Sequence, residues 1–236
     1  MKNILTSLFF ILILSNTYGQ KNELRVSLDS GLFSFSGGSA EKTSSINAFS
    51  SDTGYTNNPY GAKNGLCYGI SLNYKRVTKG NFVFGAGLGY ENVSSKVAIN
   101  AVNEQLISSG INRVDATGKT TLDMNTINVN PFFGYRFNAE KLPIDLVAGF
   151  DFASILNSKE CGDATDTNGM KYTTSVDRKT ISTETRPRIQ ISTDYKKFGI
   201  YLGYSFGLNN YKEGYVGGVN EAYSKIFRFG LTYRVL

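Results

Sequence analysis

Residues 66–90 read LCYGISLNYKRVTKGNFVFGAGLGY, with the same alternation on both sides of a polar turn at residues 78–81. From Leu66 and again from Phe82, every second residue is apolar, and the residues between them are mostly glycine or polar. A repeat of two is the period of a β-strand. The glycine-rich face is unlike a hydrophobic core, so the pattern predicts a barrel whose apolar face meets lipid.

Residues 1–19 have the composition of a secretory signal peptide. Lys2 precedes an apolar run at residues 4–14, and small or polar residues follow it. This run is shorter than the roughly 20 apolar residues that a transmembrane helix requires. We therefore predict cleavage after Gly19, which leaves residues 20–236 as one outer-membrane β-barrel domain.

The charge of the mature chain is modest and scattered. Removing Lys2 with the signal peptide leaves 24 basic and 19 acidic residues, a net charge of +5. No basic run interleaved with aromatic residues occurs, so we predict no nucleic-acid partner. Cations are concentrated in the predicted short turns, whereas the long polar segments are nearly neutral. These turn cations are Lys75, Arg76, Lys79, Lys141, Lys196 and Lys197.

The alternation recurs along the whole mature chain. We predict an all-β fold, namely an eight-stranded antiparallel up-and-down transmembrane β-barrel with four long outer loops and three short periplasmic turns. Strands of about a dozen residues suit a tilted membrane strand, which needs roughly 9 to 11. The predicted strands are residues 23–35, 66–74, 82–90, 127–137, 144–153, 189–195, 198–208 and 227–235. The predicted loops are residues 36–64, 94–120, 156–183 and 209–221.

A soluble lipocalin-like barrel is the alternative fold, since it also has eight strands but keeps its apolar residues inside around a ligand. In that fold several glycines would face water along strand centres, where glycine weakens a strand without packing anything. In a membrane barrel the same glycines make room for large side chains in a narrow lumen. We therefore favour the membrane barrel. These glycines are Gly85, Gly87, Gly89, Gly199, Gly203 and Gly207.

Charged residues of both signs alternate into the predicted lumen. An eight-stranded barrel is just wide enough for side chains to fill it, and an unpaired buried ion costs several kcal/mol. We therefore predict a network of salt bridges that plugs the lumen. A narrow ion or small-solute pore is the alternative, although open channels are typical of barrels with about 16 strands. The predicted network is Arg25, Asp29, Lys75, Glu91, Arg136, Asp145, Asp151, Arg186, Arg188, Asp194, Arg228 and Arg234.

The composition argues against catalysis and against a cofactor. The sequence contains no histidine, which removes the usual general base and the commonest zinc ligand. Asp145 and Asp151 share a face that is crowded with arginine, so a structural role is favoured over acid–base chemistry. Residues 163–175 resemble a calcium loop, but Ala164 stands at its first position, so at most weak cation binding is expected. We predict no enzyme activity, no cofactor and no dedicated metal site.

Two cysteines are available for a disulfide. Cys67 lies near the outer end of a predicted strand, and Cys161 lies in a predicted long loop. An oxidising envelope would allow them to pair. The sequence alone does not place the two sulfur atoms within bonding distance. A disulfide and two free thiols therefore both stay open.

Four motifs are distributed from the exit of the signal peptide to the last predicted strand. They are YGQ at residues 18–20, GAGLGY at residues 85–90, PFFGYRF at residues 131–137 and FGLTYR at residues 229–234. Together they resemble the small outer-membrane barrel proteins of Bacteroidota, the PorT-like family, and more distantly the OmpA transmembrane domain and OmpX. The resemblance implies insertion by the barrel-insertion machinery, which reads the last strand. This chain ends in Val235-Leu236 rather than in the usual terminal aromatic residue.

The long outer loops are the expected site of function, because a rigid scaffold positions loops whose sequence is free to vary. We predict a non-enzymatic integral protein of the Gram-negative cell outer membrane whose loops serve surface contact, adhesion or membrane integrity. Its predicted partners are outer-membrane lipid, the barrel-insertion machinery, and an extracellular or envelope protein. An accessory subunit of an envelope protein-secretion system is a further alternative, suggested by the PorT resemblance.

Tyrosines in the predicted loops are the first candidates for contact with a partner, since tyrosine offers contact area at low entropic cost. The alternative is that they cover the mouth of the barrel. The candidates are Tyr55, Tyr60, Tyr211, Tyr215 and Tyr223.

Overall fold

The computed structural model describes residues 21–49, 53–106, 110–138, 142–215 and 218–236. The predicted signal peptide and Lys141 lie outside these residues. The described residues form eleven β-strands and no helix, which confirms the all-β prediction. None of them belongs to a helix long and apolar enough to cross a membrane. The strands are β1 (Lys21–Ser36), β2 (Thr43–Phe49), β3 (Thr53–Thr56), β4 (Lys63–Val77), β5 (Phe82–Leu106), β6 (Gly110–Phe137), β7 (Ile144–Asp166), β8 (Lys171–Asp177), β9 (Thr183–Tyr195), β10 (Phe198–Phe206) and β11 (Tyr223–Arg234).

All eleven strands belong to one sheet. Two of its strand pairings close the sheet on itself, so that it forms two closed rings of paired strands, here named the first and the second circuit. In the first circuit β1 pairs with β4 and β11, and the ladder continues through β5, β6 and β7 on one side and through β10 and β9 on the other. Pairing of β7 with β9 closes this circuit of eight antiparallel strands. The total of eleven strands differs from the predicted eight, because β2, β3 and β8 form in segments that were predicted to be loops.

The outer face of the first circuit carries an apolar band. On β5, Phe82, Leu88 and Tyr90 are 62%, 55% and 43% exposed, whereas Val83 between them is buried. The band spans Phe82–Tyr90 on this strand, which matches the roughly 9 to 11 residues that cross a bilayer. Aromatic side chains line both of its edges. At the short-turn edge they are Tyr74, Phe82, Tyr135, Phe137, Tyr195, Phe198 and Tyr233, and at the other edge Tyr68, Tyr90, Phe152, Tyr204, Phe206 and Phe227.

Three strands continue far beyond this band. β5, β6 and β7 contain 25, 28 and 23 residues, about twice the length that a bilayer needs. Beyond the band, β2 pairs with β5 and β3, and β8 pairs with β3 and β7, so that six strands close a second circuit. Its interior is a hydrophobic cluster of Ile46, Ala48, Val97, Ile99, Val102, Ala116, Ala164 and Tyr172.

The apolar face changes sides between the two circuits. On β5 the apolar side chains point outward up to Tyr90 and inward from Val93, which is 1% exposed. On β6 the same change falls between Met124, which is buried, and Ile127, which is exposed. Apolar groups on the outside, as in the first circuit, are the arrangement expected in lipid, whereas apolar groups on the inside, as in the second, are the arrangement expected in water.

A row of asparagines marks this change on the outer surface. Asn92 Nδ2 donates to Asn125 Oδ1, and Asn125 Nδ2 donates to Asn157 Oδ1, both at 2.8 Å. The row crosses β5, β6 and β7, and it satisfies amide groups at the level where the apolar band ends.

The predicted long loops are wrong in most of their length. Residues 94–120 are largely the outer ends of β5 and β6, residues 36–64 contain β2 and β3, and residues 156–183 contain the end of β7 and all of β8. Within the described part of residues 209–221 no strand forms. These segments have mostly polar outer faces, and this composition led to their prediction as loops.

Candidate functional site

Charged side chains inside the first circuit lie in two clusters, of which the lower is nearer to the short turns. Arg136 contacts Asp145 at 2.6 and 2.9 Å and Glu23 at 3.0 Å. Arg25 contacts Glu23 at 2.6 Å and also bonds to Asp194. Each carboxylate therefore faces at least one cation, as buried charges require. The lower cluster consists of Glu23, Arg25, Lys75, Arg136, Asp145 and Asp194.

The upper cluster lies toward the second circuit. Arg228 donates through Nε to Glu91 at 2.6 Å and through Nη1 to Ser205 at 2.6 Å. Its Nη1 also lies 3.2 Å from Asp151, which Arg188 contacts at 3.3 Å. Hydrogen bonds between charged groups of this kind are stronger than neutral ones. The upper cluster consists of Glu91, Asp151, Glu184, Arg186, Arg188 and Arg228.

Arg186 is completely buried at the centre of the upper cluster. Its guanidinium nitrogens lie 3.6 Å from Glu184, 3.8 Å from Glu91 and 3.9 Å from Asp151. These distances are longer than hydrogen bonds. Arg186 is therefore stabilised by the charge of three surrounding carboxylates rather than by direct donation.

A cavity of about 50 Å³ separates the two clusters. Arg25 and Lys75 line it from the lower cluster, and Arg188 lines it from the upper cluster. The remaining wall is mostly polar, and the volume is large enough for a few water molecules. The lumen is thus narrowed by ion pairs on both sides of a small polar chamber.

Apolar and aromatic side chains close the lumen beyond the upper cluster. Phe35 packs edge-on against Phe33, Tyr60 and Tyr211, with ring centroids 5.1, 5.1 and 4.9 Å apart. Tyr211 donates its hydroxyl to Glu184 at 2.8 Å. Burial raises the pKa of the Tyr60 and Tyr211 phenols, so both stay neutral. The mouth cluster consists of Phe33, Phe35, Tyr60, Cys67, Val93, Leu122, Met124, Tyr211, Ala222 and Ile226.

A buried carboxylate, Glu160, joins the strands of the second circuit. Its Oε1 accepts from the backbone N–H of Thr56 at 2.7 Å and from the Thr56 hydroxyl at 2.6 Å. Its Oε2 accepts from Arg178 Nε at 2.6 Å. Tyr172 donates to Glu104 in the same circuit. These bonds hold β3, β7 and the segment after β8 in one arrangement.

The outer surface of the second circuit carries a patch of rings and amides, here named the outer patch. Phe49 stacks on Tyr55 with ring centroids 5.6 Å apart. Asn103 Nδ2 donates to Asn47 Oδ1 at 2.7 Å. Ile111 lies nearby on β6 and is 76% exposed. The outer patch comprises Asn47, Phe49, Tyr55, Asn103 and Ile111.

The twelve charged residues predicted for the lumen all lie on the inner face of the first circuit, and ten belong to the two clusters. Asp29 instead accepts a hydrogen bond from the Tyr201 hydroxyl at 2.5 Å. Arg234 lies at the short-turn rim, 3.8 Å from Glu23.

Sequence reasoning missed three carboxylates of the interior. Glu23 and Glu184 share a face with Arg25 and Arg186 two residues later, so period two would have found both. Glu160 lies beyond a register shift between β6 and β7 at Asn125/Thr126. The extra residue reverses which side chains face inward, and the sequence carries no signal for it.

The possible disulfide is not formed, since Cys67 and Cys161 are both free. They lie on β4 and β7, with β5 and β6 between those strands. Strands about 4.8 Å apart place such positions roughly 14 Å from each other, beyond the limit of about 7 Å for a disulfide.

Two of the five tyrosine contact candidates are wrong. Tyr60 and Tyr211 are 4% and 3% exposed and belong to the mouth cluster. Tyr215 is 57% exposed, and Tyr55 and Tyr223 are partly exposed. The last three are therefore accessible to a partner.

The segment that resembles a calcium loop is the turn between β7 and β8. Asp166 Oδ1 accepts from the backbone N–H groups of Asn168 and Met170, both at 2.8 Å. This is the turn-capping use of aspartate. Across the described ranges, no three His, Cys, Asp or Glu side chains are grouped to hold a metal ion.

Comparisons with known proteins give a matching family model and matching solved structures. A family model described as outer membrane protein beta-barrel domain matches residues 19–213. The structure of Ail, the attachment invasion locus protein of Yersinia pestis, in complex with the heparin analogue sucrose octasulfate, matches with 12% identity and a TM-score of 0.39, covering 91% of this chain and 99% of that chain. Neisserial surface protein A matches with 12% identity and a TM-score of 0.39, covering 89% of this chain and 96% of that chain. Among curated proteins no sequence matches.

Proposed function

Because this chain belongs to the outer membrane protein beta-barrel domain family, we propose that it is a non-enzymatic surface protein that presents a rigid β-structure for contact outside the cell. In this proposal the eight-strand circuit is the barrel that spans the outer membrane. The second circuit projects from the outer leaflet, where the long connections of such barrels lie. The lumen is closed and carries no solute.

The second circuit is the strongest support for surface contact. Three barrel strands continue beyond the apolar band and close with β2, β3 and β8 around a core of their own. A connection that only joins two strands needs no such core. A surface that is already ordered loses less conformational entropy when a partner binds, which is the advantage of preorganisation. The outer patch is the first candidate for the contact surface.

The layered interior supports a closed lumen. Two clusters of paired charges cross it, and the mouth cluster covers it on the outer side. An ion that crossed would have to displace buried ion pairs, and separating such a pair is costly.

The closed lumen has a direct electrical test. Wild-type protein in a planar bilayer is expected to show no steady single-channel steps, because both clusters and the mouth cluster obstruct the path. Steps that change in amplitude in Arg136→Ala or Arg228→Ala would contradict this and would support the narrow pore instead.

Surface contact is tested by breaking the second circuit while keeping the barrel. Ile46 is completely buried in its core, so Ile46→Asp places an unpaired charge there and is expected to disorder it. Bacteria that express wild-type protein are expected to adhere to surfaces coated with extracellular-matrix protein at least several-fold more than vector controls. Ile46→Asp cells are expected to lose most of this adhesion.

The matched control is Met170→Asp, which also introduces an aspartate but at a position that is 54% exposed, in the turn between β7 and β8 and outside the outer patch. It is expected to leave the second circuit folded, and a heat-dependent shift in gel mobility reports the folded barrel in each variant. If wild-type cells adhere no better than vector controls on any coated surface, the proposed adhesion function is wrong.

Co-purification with an envelope secretion component after mild extraction would instead favour the secretion-subunit alternative.

A further inference from the structure

The net positive charge of the chain is concentrated at the short-turn end of the barrel. Lys21, Lys79, Lys196 and Lys197 are exposed there, and the Arg234 side chain is one-third exposed. The nearby carboxylate side chains, Glu23, Asp145 and Asp194, are buried in the lower cluster. No acidic side chain in the described part of this end is exposed. The four exposed lysines therefore face the surroundings with no exposed acidic side chain beside them in the described part of this end, whereas Arg234 lies 3.8 Å from Glu23.

These cations lie on one continuous arc of the rim. Lys79 is in the turn between β4 and β5, Lys21 begins β1, and Arg234 ends β11. Lys196 and Lys197 form the turn between β9 and β10. The strand order β4-β1-β11-β10-β9 makes all these positions neighbours. We name this arc the lysine rim.

Aromatic rings hold two of the lysines at the edge of the apolar band. Lys196 Nζ lies 5.5 Å from the ring centroid of Tyr195, and Lys197 Nζ lies 5.9 Å from that of Tyr233. Both rings are exposed at the short-turn edge of the band. Aromatic girdles in membrane barrels lie at the interface with the lipid headgroups, so the ammonium groups are at the level of the lipid phosphates.

Lys196 adopts a backbone conformation that is unfavourable for lysine. Among the residues that the structure describes, each of the three short turns contains one non-glycine residue with positive φ, namely Asn81 at 64°, Asn138 at 49° and Lys196 at 57°. Asparagine tolerates this left-handed conformation, whereas lysine is strained in it. Two of the turns therefore use the residue that suits the backbone, and the third uses one that supplies a charge.

We propose that the lysine rim binds the phosphate groups of anionic glycerophospholipid in the leaflet that the short turns reach. Short turns of outer-membrane barrels face the periplasm. Juxtamembrane lysines and arginines are attracted to anionic lipid headgroups, whereas a zwitterionic headgroup carries its own cation. This inference rests on the membrane assignment of the first circuit but not on surface contact by the second.

The test uses the folded full-length mature chain in mild detergent with equal amounts of phosphatidylglycerol and phosphatidylcholine. Native mass spectrometry is expected to show preferential retention of phosphatidylglycerol. Lys196→Gln/Lys197→Gln is expected to lower that retention roughly thirtyfold, given the attraction that each of the two basic residues contributes, with phosphatidylcholine unchanged. Equal retention of the two lipids by wild-type protein would overturn the proposal.

A second variant separates lipid binding from folding. Lys196→Asn relieves the strained turn, so it is expected to raise the urea midpoint while lowering phosphatidylglycerol retention. The control Lys63→Gln/Lys179→Gln removes two exposed lysines beyond the opposite edge of the band. It is expected to retain phosphatidylglycerol as wild type does. An equal loss in this control would show a general charge effect and would also overturn the proposal.

Discussion

Replacing Arg228 with methionine is expected to destabilise the barrel by about 3–5 kcal/mol, the cost of leaving a buried charge without its partner. Arg228 is 1% exposed and contacts Glu91 at 2.6 and 2.9 Å. Its loss leaves Glu91 with a neutral hydrogen bond from Asn128 Nδ2 at 2.9 Å and with the more distant cation Arg186 at 3.8 Å. The change is measured as the free energy of unfolding in urea, with the protein folded in phospholipid vesicles.

Two variants control for the loss of side-chain volume. The double variant Arg228→Met/Glu91→Gln is expected to recover at least half of the lost stability, because no unpaired carboxylate remains. Lys225→Met changes an exposed residue on the same strand and is expected to stay within about 0.5 kcal/mol of wild type. A single Arg228→Met variant as stable as wild type would show that the upper cluster does not hold the lumen together.

Replacing Leu202 with arginine is expected to destabilise the barrel by about 2–4 kcal/mol, the cost of a cation on the lipid face near the bilayer midplane. Leu202 is 51% exposed in the middle of β10, so the arginine would meet hydrocarbon rather than another side chain. The same urea titration in vesicles measures the effect.

Asn157→Arg is the matched control for this prediction. Asn157 is exposed on β7 in the asparagine row at the edge of the band. An arginine near the interface is expected to cost about 0–1 kcal/mol. If Leu202→Arg is as stable as this control, the apolar band does not face lipid, and the membrane assignment is wrong.

The hairpin at residues 66–90 could be predicted from sequence because its information is local. The predicted strands 66–74 and 82–90 lie within β4 and β5. Alternation places apolar groups on one face whatever the rest of the chain does. The same reasoning placed every predicted lumen charge on the inner face, since a strand has only two faces.

The second circuit was missed although its alternation is present in the sequence. Between Tyr90 and Val93 the apolar residues move from even to odd positions, and a comparable change falls between Met124 and Ile127. Such a reversal marks the level where the surroundings change from lipid to water. The polar composition of these segments indicated loops, because composition does not record which face of a strand carries the apolar residues.

The sequence did not indicate which cation pairs with which carboxylate inside the lumen. Arg25 and Asp194 are 169 residues apart in the chain, and Arg228 and Glu91 are 137 apart. Alternation shows that all four side chains face inward, but it does not show at which level along the barrel axis each one lies. That level depends on strand tilt and register, which are fixed when the whole circuit closes.

The sequence by itself determined the strand period, the membrane-facing side chains and the inward set of charges, because each follows from the chemistry of residues that are close in the chain. Only the tertiary structure decided that three strands continue outward and close a second circuit, which carboxylate meets which cation, and that Tyr60 and Tyr211 are buried. These outcomes depend on hydrogen bonds and contacts between segments that are far apart in sequence, and such contacts exist only once the sheet has closed.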